Sequence, residues 1–361
     1  MFDAITRHVG CGNGLLGGPH EQAGLTTGGV YRERVTLRRS GTPDQPIVFT
    51  AGAPGRYNSN VLLTSPYHAN GTETGFLLSG VHDVELRKLT FSTPGTAVGI
   101  DASTRVRIAD NDFTPAWLNG LPAKPQVSVA NSSDAVAVQQ NSFQYTPFGA
   151  IQVGSGSRGT LVTANGIESS DGTGIGAADA PGTKITNNDV TAACGNSIAL
   201  AGASPDSLVE NNIVSKVPPG SDPSACPAGT SPAEIAVSDA AAEGLTLDYN
   251  IVWAGSGTAA YRWSGTAHPS AAELRAATGQ GAHEFNGDPK LDSNGIPLAG
   301  SPALDSGDST APWAGSDRRQ RPEADNPLVG SPAGQGPVRP RGVRDAGRRP
   351  PRLRADRSPS R

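Results

Sequence analysis

The stretch RVRIADNDF, which spans Arg105–Phe113, combines an alternating apolar pattern with one asparagine at a fixed distance behind it. Val106 and Ile108 alternate with charged residues, Asn111 follows Ile108, and Phe113 comes after it. Such alternation predicts a short β-strand with one buried face. An asparagine directly behind the strand is typical of a turn.

Nearly the same phrase, apolar-x-apolar-x-x-Asn-x-apolar, returns along the chain. Its asparagines are Asn111, Asn141, Asn165, Asn188, Asn212 and Asn250, and an earlier copy has Leu89 in the asparagine position. Between these phrases lie second strand signals: AVGI, AIQV, SIAL and EIAV. Self-similarity at a period of roughly 20–50 residues, without helical periodicity, predicts a stack of β units, a β-solenoid.

A parallel solenoid gives the repeated asparagine a structural role. Successive coils lie about 4.8 Å apart, so equivalent residues form columns. An inward asparagine at a bend donates its amide to the next asparagine, which predicts an internal hydrogen-bonded ladder. Asparagine also tolerates the left-handed conformation that a sharp corner requires. Asn111 and its equivalents are therefore predicted to be structural, not catalytic.

The composition agrees with many short strands and tight turns. The chain of 361 residues has 46 Gly, 30 Pro and only 17% charged residues, and Gly and Pro disfavour helix interiors. The net charge is −4; nine Arg against two Asp in residues 328–361 give +7, which leaves −11 for residues 1–327. This acidic body argues against nucleic acid and anionic membranes as partners.

Cysteines and targeting signals add little. The three cysteines, Cys11, Cys194 and Cys226, lack the spacing of a zinc site. Cys194 and Cys226 pair if the protein reaches an oxidising compartment, and the sequence leaves this open. No apolar run reaches the roughly 20 residues of a membrane span. The first residues also lack the charged and apolar regions of a secretory signal.

Two longer stretches resemble the right-handed parallel β-helix repeat proteins of the pectate-lyase-like superfamily, of the bacterial, secreted type. They are GGVYRERVTLRRSGTPDQPIVFTAGAPG, Gly28–Gly55, and GDPKLDSNGIPLAGSPALDSGD, Gly287–Asp308. The resemblance implies an all-β, right-handed parallel β-helix with an irregular C-terminal segment. It also implies an extracellular location, although the chain as written shows no signal peptide.

The predicted organisation has four parts. Residues 1–27 form an atypical N-terminal segment, 28–287 the parallel β-helix, and 288–327 an irregular segment packed on it. Residues 328–361 form a disordered tail rich in Arg and Pro, in contrast to the endings of the relatives.

Candidate chemistry lies in outward columns of the solenoid. One column is predicted to contain Arg107, Ala137, Leu161, Lys184, Leu208 and Thr246. The next contains Arg87, Ala109, Gln139, Thr163, Thr186, Glu210 and Asp248, and a third, behind the asparagines, contains Asp112, Ser142, Gly166, Asp189, Ile213 and Ile251.

A lyase needs a base and a cation that neutralises the substrate's carboxylate. The candidate catalytic residues are Lys184, Arg107, Asp189 and Glu210, and each is also explained as ordinary surface charge. For a hydrolase, Glu210 and Asp248 face each other if their coils are adjacent. Ca²⁺ is the one cofactor that the carboxylates suggest, and no motif requires it. The histidines are isolated in the sequence.

Aromatic residues are candidates for sugar contacts from loops between coils. They are Trp117, Tyr145, Phe148, Trp253, Tyr261 and Trp263. Covering the solenoid is the alternative role for them.

The resemblance predicts a monomeric carbohydrate-active protein whose partner is an extracellular polysaccharide, with lyase or epimerase chemistry preferred over hydrolysis. A non-catalytic binding solenoid and an inactive, truncated copy are the alternatives.

Overall fold

A computed structural model describes most of the repetitive region of the chain. The described residues are 22–25, 30–31, 34–51, 62–64, 74–114, 124–146, 148–192, 194–216, 232–255, 258–292, 295–304 and 306–312. The predicted tail at 328–361, most of the predicted N-terminal segment, Cys11, Cys226 and Trp117 lie outside them.

The described strands form three long sheets, and the chain visits sheets I, II and III in turn. Sheet I contains Gln22–Leu25, Ile47–Ala51, His82–Arg87, Thr104–Ala109, Ala137–Gln139, Leu161–Thr163, Lys184–Thr186, Leu208–Glu210 and Thr246–Asp248. Sheet II contains Val30–Tyr31, Leu62–Thr64, Thr90–Ser92, Asp112–Phe113, Ser142–Gln144, Gly166–Ser170, Asp189–Ala192, Ile213–Lys216, Ile251–Trp253 and Phe285–Asn286. Sheet III contains Val35–Leu37, Phe76–Ser79, Val98–Asp101, Val127–Ala130, Ile151–Gly154, Ile175–Ala178, Ile198–Ala201, Ala233–Val237, Ala259–Trp263 and Thr266–His268.

Each strand pairs with its equivalent in the next coil, and the pairing is parallel except between Ala259–Trp263 and Thr266–His268. Because crossovers between parallel strands are right-handed, the result is the predicted right-handed parallel β-helix. A 3₁₀ turn, Asp239–Ala241, and one α-helix, α1 at Ala271–Thr278, are the helical elements of the described residues. No helix in that part of the chain is long and apolar enough to span a membrane.

Apolar side chains from all three sheets fill the coil interior. Phe91, Phe113 and Phe143 occupy one column and stack with ring centroids 5.0 and 4.4 Å apart. All three rings are buried, and burying one such side chain contributes about 1.5–3 kcal/mol. The apolar positions of the repeated phrase therefore build the core in register.

The asparagines form the predicted ladder at the corner between sheets I and II. The Nδ2 atom of Asn141 donates to Oδ1 of Asn165 at 3.0 Å, and the same contact joins Asn165 to Asn188 at 3.0 Å. It continues to Asn212 and Asn250 at 2.9 Å in each step. Each side-chain oxygen also accepts from the backbone N–H of the preceding asparagine. The buried amides of the ladder are thus paired along the axis.

The left-handed residue of this corner is not the ladder asparagine. A positive φ near 55° is found one position earlier, at Asp110, Gln140, Ala164, Asn187, Asn211 and Tyr249. The suggestion that the ladder residue itself takes this conformation was therefore wrong. The preceding residue makes the turn, which leaves the asparagine free to point into the coil.

Candidate functional site

Strand register confirms the members of the three predicted columns, but most of the second column is buried instead of facing solvent. Arg107, Ala137, Leu161, Lys184, Leu208 and Thr246 are successive partners in sheet I. Arg87, Ala109, Gln139, Thr163, Thr186, Glu210 and Asp248 form the second column. Asp112, Ser142, Gly166, Asp189, Ile213 and Ile251 form the third, in sheet II.

The four candidate catalytic residues do not form one cluster. Arg107 and Lys184 share a column but are three strands apart, roughly 14 Å at the spacing of neighbouring strands. Arg107 donates to Oε1 of Glu85 at 3.0 Å. Asp189 lies across the corner, in sheet II. Glu210 is offset from Lys184 by one strand and two residues, roughly 8 Å by strand geometry. Of the four, the structure places Lys184 and Glu210 as neighbours on one face.

Glu210 and Asp248 are direct partners on adjacent strands of sheet I, which confirms that their coils are adjacent. Glu210 is buried, with 6% of its surface exposed. Burial raises the pKa of Glu210 from 4.5 to about 7, and the negative charges of Asp308 and Asp248 act in the same direction. Both causes disfavour the charged carboxylate. The burial and the two neighbouring carboxylates therefore favour the protonated form of Glu210.

The second carboxyl group of the pair, Asp248, is held by three hydrogen bonds. Its Oδ1 accepts from the backbone N–H groups of Tyr249 at 3.0 Å and His283 at 2.6 Å. Its Oδ2 lies 2.8 Å from Nδ1 of His283. The imidazole stacks on the Tyr249 ring with centroids 4.3 Å apart. Asp248 is thus oriented by a histidine from the next coil.

A chain segment near residue 310 covers the second column. Asn211 exchanges two hydrogen bonds of 2.8 Å with the backbone N–H and C=O of Asp308. Thr186 and Asn187 both donate side-chain hydrogen bonds to the carbonyl oxygen of Pro312. Residues 306–312 therefore bury Glu210 and bring a further carboxylate, Asp308, towards it.

Sequence reasoning missed three members of this site: His283, Tyr249 and Asp308. Contrary to the prediction, His283 is not isolated. It follows a helix and a loop that return the chain to the corner beside Asp248. Asp308 is about a hundred positions away from its partner Asn211. The one signal for Tyr249 is its position directly before a ladder asparagine, where the chain turns.

The predicted aromatic contacts also needed correction. Trp253, Tyr261 and Trp263 lie in strands instead of loops. Tyr261 is 1% exposed and belongs to the core, so it is not a sugar contact. Trp253 and Tyr145 are exposed. Trp117 lies outside the described residues.

Residues 56–227 match the family model described as NosD, periplasmic copper-binding protein, a span of just under half of the chain. Copper prefers imidazole, thiolate and thioether ligands. Among the described residues, no group of three His, Cys, Asp or Glu is arranged to hold a metal ion. Cys194 is disulfide-bonded, and the single Met of the chain is Met1. The described residues therefore fit neither copper nor a Ca²⁺ cluster. The pairing of Cys194 with Cys226 stays a prediction.

Solved structures with similar folds share little sequence with this chain. An alginate lyase from Paenibacillus is 12% identical, with a TM-score of 0.36, and the alignment covers 68% of this chain and 89% of the other. A DFA-IIIase from Arthrobacter chlorophenolicus is 15% identical, with a TM-score of 0.37 and coverage of 90% and 93%. No match was found among curated proteins. With its three parallel sheets and its internal asparagine ladder, the chain is a right-handed parallel β-helix.

Proposed function

We propose that this carbohydrate-active β-helix protein cleaves an extracellular polysaccharide at the Glu210–Asp248 pair. One observation carries the proposal: two carboxyl groups are direct partners on adjacent strands of sheet I, and the pKa of one of them is raised to about 7. Glycoside hydrolysis uses two carboxyl groups with different environments, one as the acid and one as the base or nucleophile.

In this proposal Glu210 is the general acid. It donates its proton to the glycosidic oxygen as the bond to the anomeric carbon breaks, so the leaving sugar departs as an alcohol. Asp248 either activates a water molecule or attacks the anomeric carbon itself. His283 is a positioning residue, because its Nδ1 and its backbone N–H fix the Asp248 carboxylate.

Lys184 supports a second candidate chemistry, the lyase or epimerase reaction that the family resemblance predicts. Above pH 7 a deprotonated Glu210 would act as the base, and Lys184 would neutralise the carboxylate of a uronate. Arg107 and Asp189 are then proposed as more distant substrate contacts, since neither neighbours Glu210. Hydrolysis is the leading proposal because Asp248, not a cation, is the direct partner of Glu210.

The wider proposals follow from the fold and its resemblance. The protein acts outside the cell, as a monomer, and its partner is a polysaccharide. A non-catalytic binding solenoid is the competing proposal, favoured by two exposed aromatic rings on sheet II, those of Trp253 and Phe285. An inactive copy is the third.

The test is a panel of neutral and uronate polysaccharides incubated with the full chain. New reducing ends without unsaturated ends support hydrolysis, and unsaturated ends detected by ultraviolet absorbance support the lyase. Glu210→Gln and Asp248→Asn should each lose activity, while Glu243→Gln, an exposed carboxylate of a neighbouring turn, should keep it. Equal activity of Glu210→Gln and the wild type would refute the assignment.

A further inference from the structure

Two large aromatic side chains are exposed next to each other on the outer face of sheet II. Trp253 is 40% exposed and Phe285 is 44% exposed. Phe285 pairs with Ile251, two residues before Trp253 in the same strand, so the two rings arise from points roughly 8 Å apart. Single exposed apolar residues are ordinary on a protein surface, but an adjacent aromatic pair on a rigid sheet forms a platform.

Hydrogen bonds fix the strand that carries Phe285. Phe285 donates its backbone N–H to the carbonyl of Asn250 at 3.0 Å. The neighbouring residue, Asn286, accepts from the backbone N–H of Ala271 at 2.5 Å and donates from Nδ2 to the hydroxyl of Tyr261 at 3.3 Å. These bonds fix the last strand of the sheet. A ligand that stacks on Phe285 therefore meets a preorganised ring, which lowers the entropic cost of binding.

Hydroxyl groups continue the platform along the solenoid. Thr191, Ser215 and Trp253 are successive partners in sheet II. The Oγ1 atom of Thr191 and the Oγ atom of Ser215 lie 3.3 Å apart, on the same outer face as the indole ring. An aromatic face beside hydroxyl donors and acceptors complements a sugar, which has an apolar ring face and a polar edge.

Charge narrows the class of sugar. In the described strands of sheet II, Lys216 is the one Lys or Arg, and its Nζ donates to the carbonyl of Gly195 at 2.6 Å. The charged residues that the third column places on the outer face are Asp112 and Asp189. The described strands of sheet II therefore place no Lys or Arg on this outer face to pair with the carboxylates of a polyuronate.

We propose that Trp253 and Phe285, together with Thr191 and Ser215, bind sugar units of an uncharged glycan. The substrate class is therefore a neutral polysaccharide, not a polyuronate. This inference rests on the proposed function and deepens it, because His283 of the carboxylate site lies two residues before Phe285 in the chain. A glycan seated on the platform extends around the corner towards Asp248.

The experiment measures binding and is independent of cleavage. Affinity electrophoresis and calorimetry are run on the full chain with mixed-linkage glucan, xylan and inulin as neutral probes, and with alginate and polygalacturonate as anionic probes. We expect one of the neutral probes to bind, with an affinity that changes little with salt. Trp253→Ala should weaken that binding by about tenfold or more, as loss of a central aromatic contact does, and Phe285→Ala by a smaller factor.

Two variants serve as controls. Tyr145→Ala removes an aromatic side chain that is 61% exposed elsewhere on the solenoid and should leave binding unchanged. Trp253→Tyr keeps an aromatic face and should retain most of the affinity, which separates stacking from misfolding. Tighter binding of the anionic probes, no binding of the neutral ones, or full affinity in Trp253→Ala overturns the inference.

The two proposals fail in different ways. Neutral glycan that binds through Trp253 but is never cleaved contradicts the proposed hydrolysis and leaves the platform intact. Cleavage that depends on Glu210 but not on Trp253 supports the proposed hydrolysis and contradicts the role of the platform.

Discussion

The side-chain amide of Asn250 donates to Oε1 of Glu284 at 2.6 Å, so the column of asparagines ends on a carboxyl group. The backbone N–H of Asn250 donates to the same oxygen at 2.8 Å, and the Tyr261 hydroxyl donates to Oε2 at 2.7 Å. Burial raises the pKa of Glu284 to about 7, while the hydrogen bonds from Tyr261 and Asn250 act in the opposite direction. Glu284 thus takes the acceptor position that the next asparagine would fill.

Removing this terminal acceptor should destabilise the helix. Glu284→Ala leaves two buried N–H groups of Asn250 and the Tyr261 hydroxyl without their acceptor, at about 1–3 kcal/mol for each unpaired group. We expect the free energy of unfolding to fall by about 3 kcal/mol or more. Glu284→Gln keeps an acceptor oxygen for Asn250 and should cost about 1 kcal/mol or less. Denaturant unfolding at pH 6 checks both, and equal losses in the two variants would contradict this role.

The same residue predicts a stability that falls as pH rises. The pKa of Glu284 is 4.5 when unfolded and about 7 when folded, so the folded state binds more protons between these values. Its contribution is fully present below pH 4.5 and is lost as pH rises through 7, at most about 3 kcal/mol for this shift. Unfolding measured from pH 5 to 8 should show a flatter dependence for Glu284→Gln than for the wild type. Parallel pH curves for the wild type and Glu284→Gln would show that Glu284 is not the source of the pH dependence.

Activity should depend on the proton of Glu210. If Glu210 is the general acid, the rate falls above about pH 7, where the carboxyl group loses its proton. Asp308 raises this pKa by its negative charge, so Asp308→Asn should move the alkaline limb of the pH profile to lower pH. The amide oxygen can still accept the hydrogen bonds from Thr310. An unchanged limb would mean that another group controls the profile. Glu210→Gln should lose activity by about 10²–10⁴-fold.

Adjacent asparagines offer a matched pair for testing the ladder. Asn188 is 1% exposed, accepts from two N–H groups of Asn165 and donates to Asn212. Asn188→Ala should cost about 3 kcal/mol or more, because two buried donors lose their acceptor. Asn187 is the left-handed corner residue, with φ of 56°, a conformation that glycine adopts without strain. Asn187→Gly should therefore cost about 1 kcal/mol or less. Thermal or denaturant unfolding should show a larger loss of stability for Asn188→Ala than for Asn187→Gly.

The columns were predictable because the repeat sets the register. In a stack of similar coils, a residue's position within the phrase determines both its neighbours above and below and whether it points inward or outward. The pairing of Glu210 with Asp248 follows from the Asn212 and Asn250 phrases alone, although those two asparagines are 38 positions apart in the chain.

Contacts between unlike segments were not predictable from the repeat. Glu284 does not belong to an asparagine phrase. Its place at the end of the ladder depends on how the coil after α1 packs against Asn250. His283 and Asp308 reach the carboxylate pair from outside the repeats in the same way. Tyr261, a candidate for sugar contact, is instead buried in the last coil, where its hydroxyl donates to Glu284.

The sequence by itself determined the solenoid, the ladder and the members of each column, because all three depend on periodic spacing along the chain. The tertiary structure alone decided which charged residues have a changed pKa. A pKa depends on burial and on charges within a few ångströms, and residues 306–312 and the coil after α1 bring that burial and charge to Glu210 and Glu284.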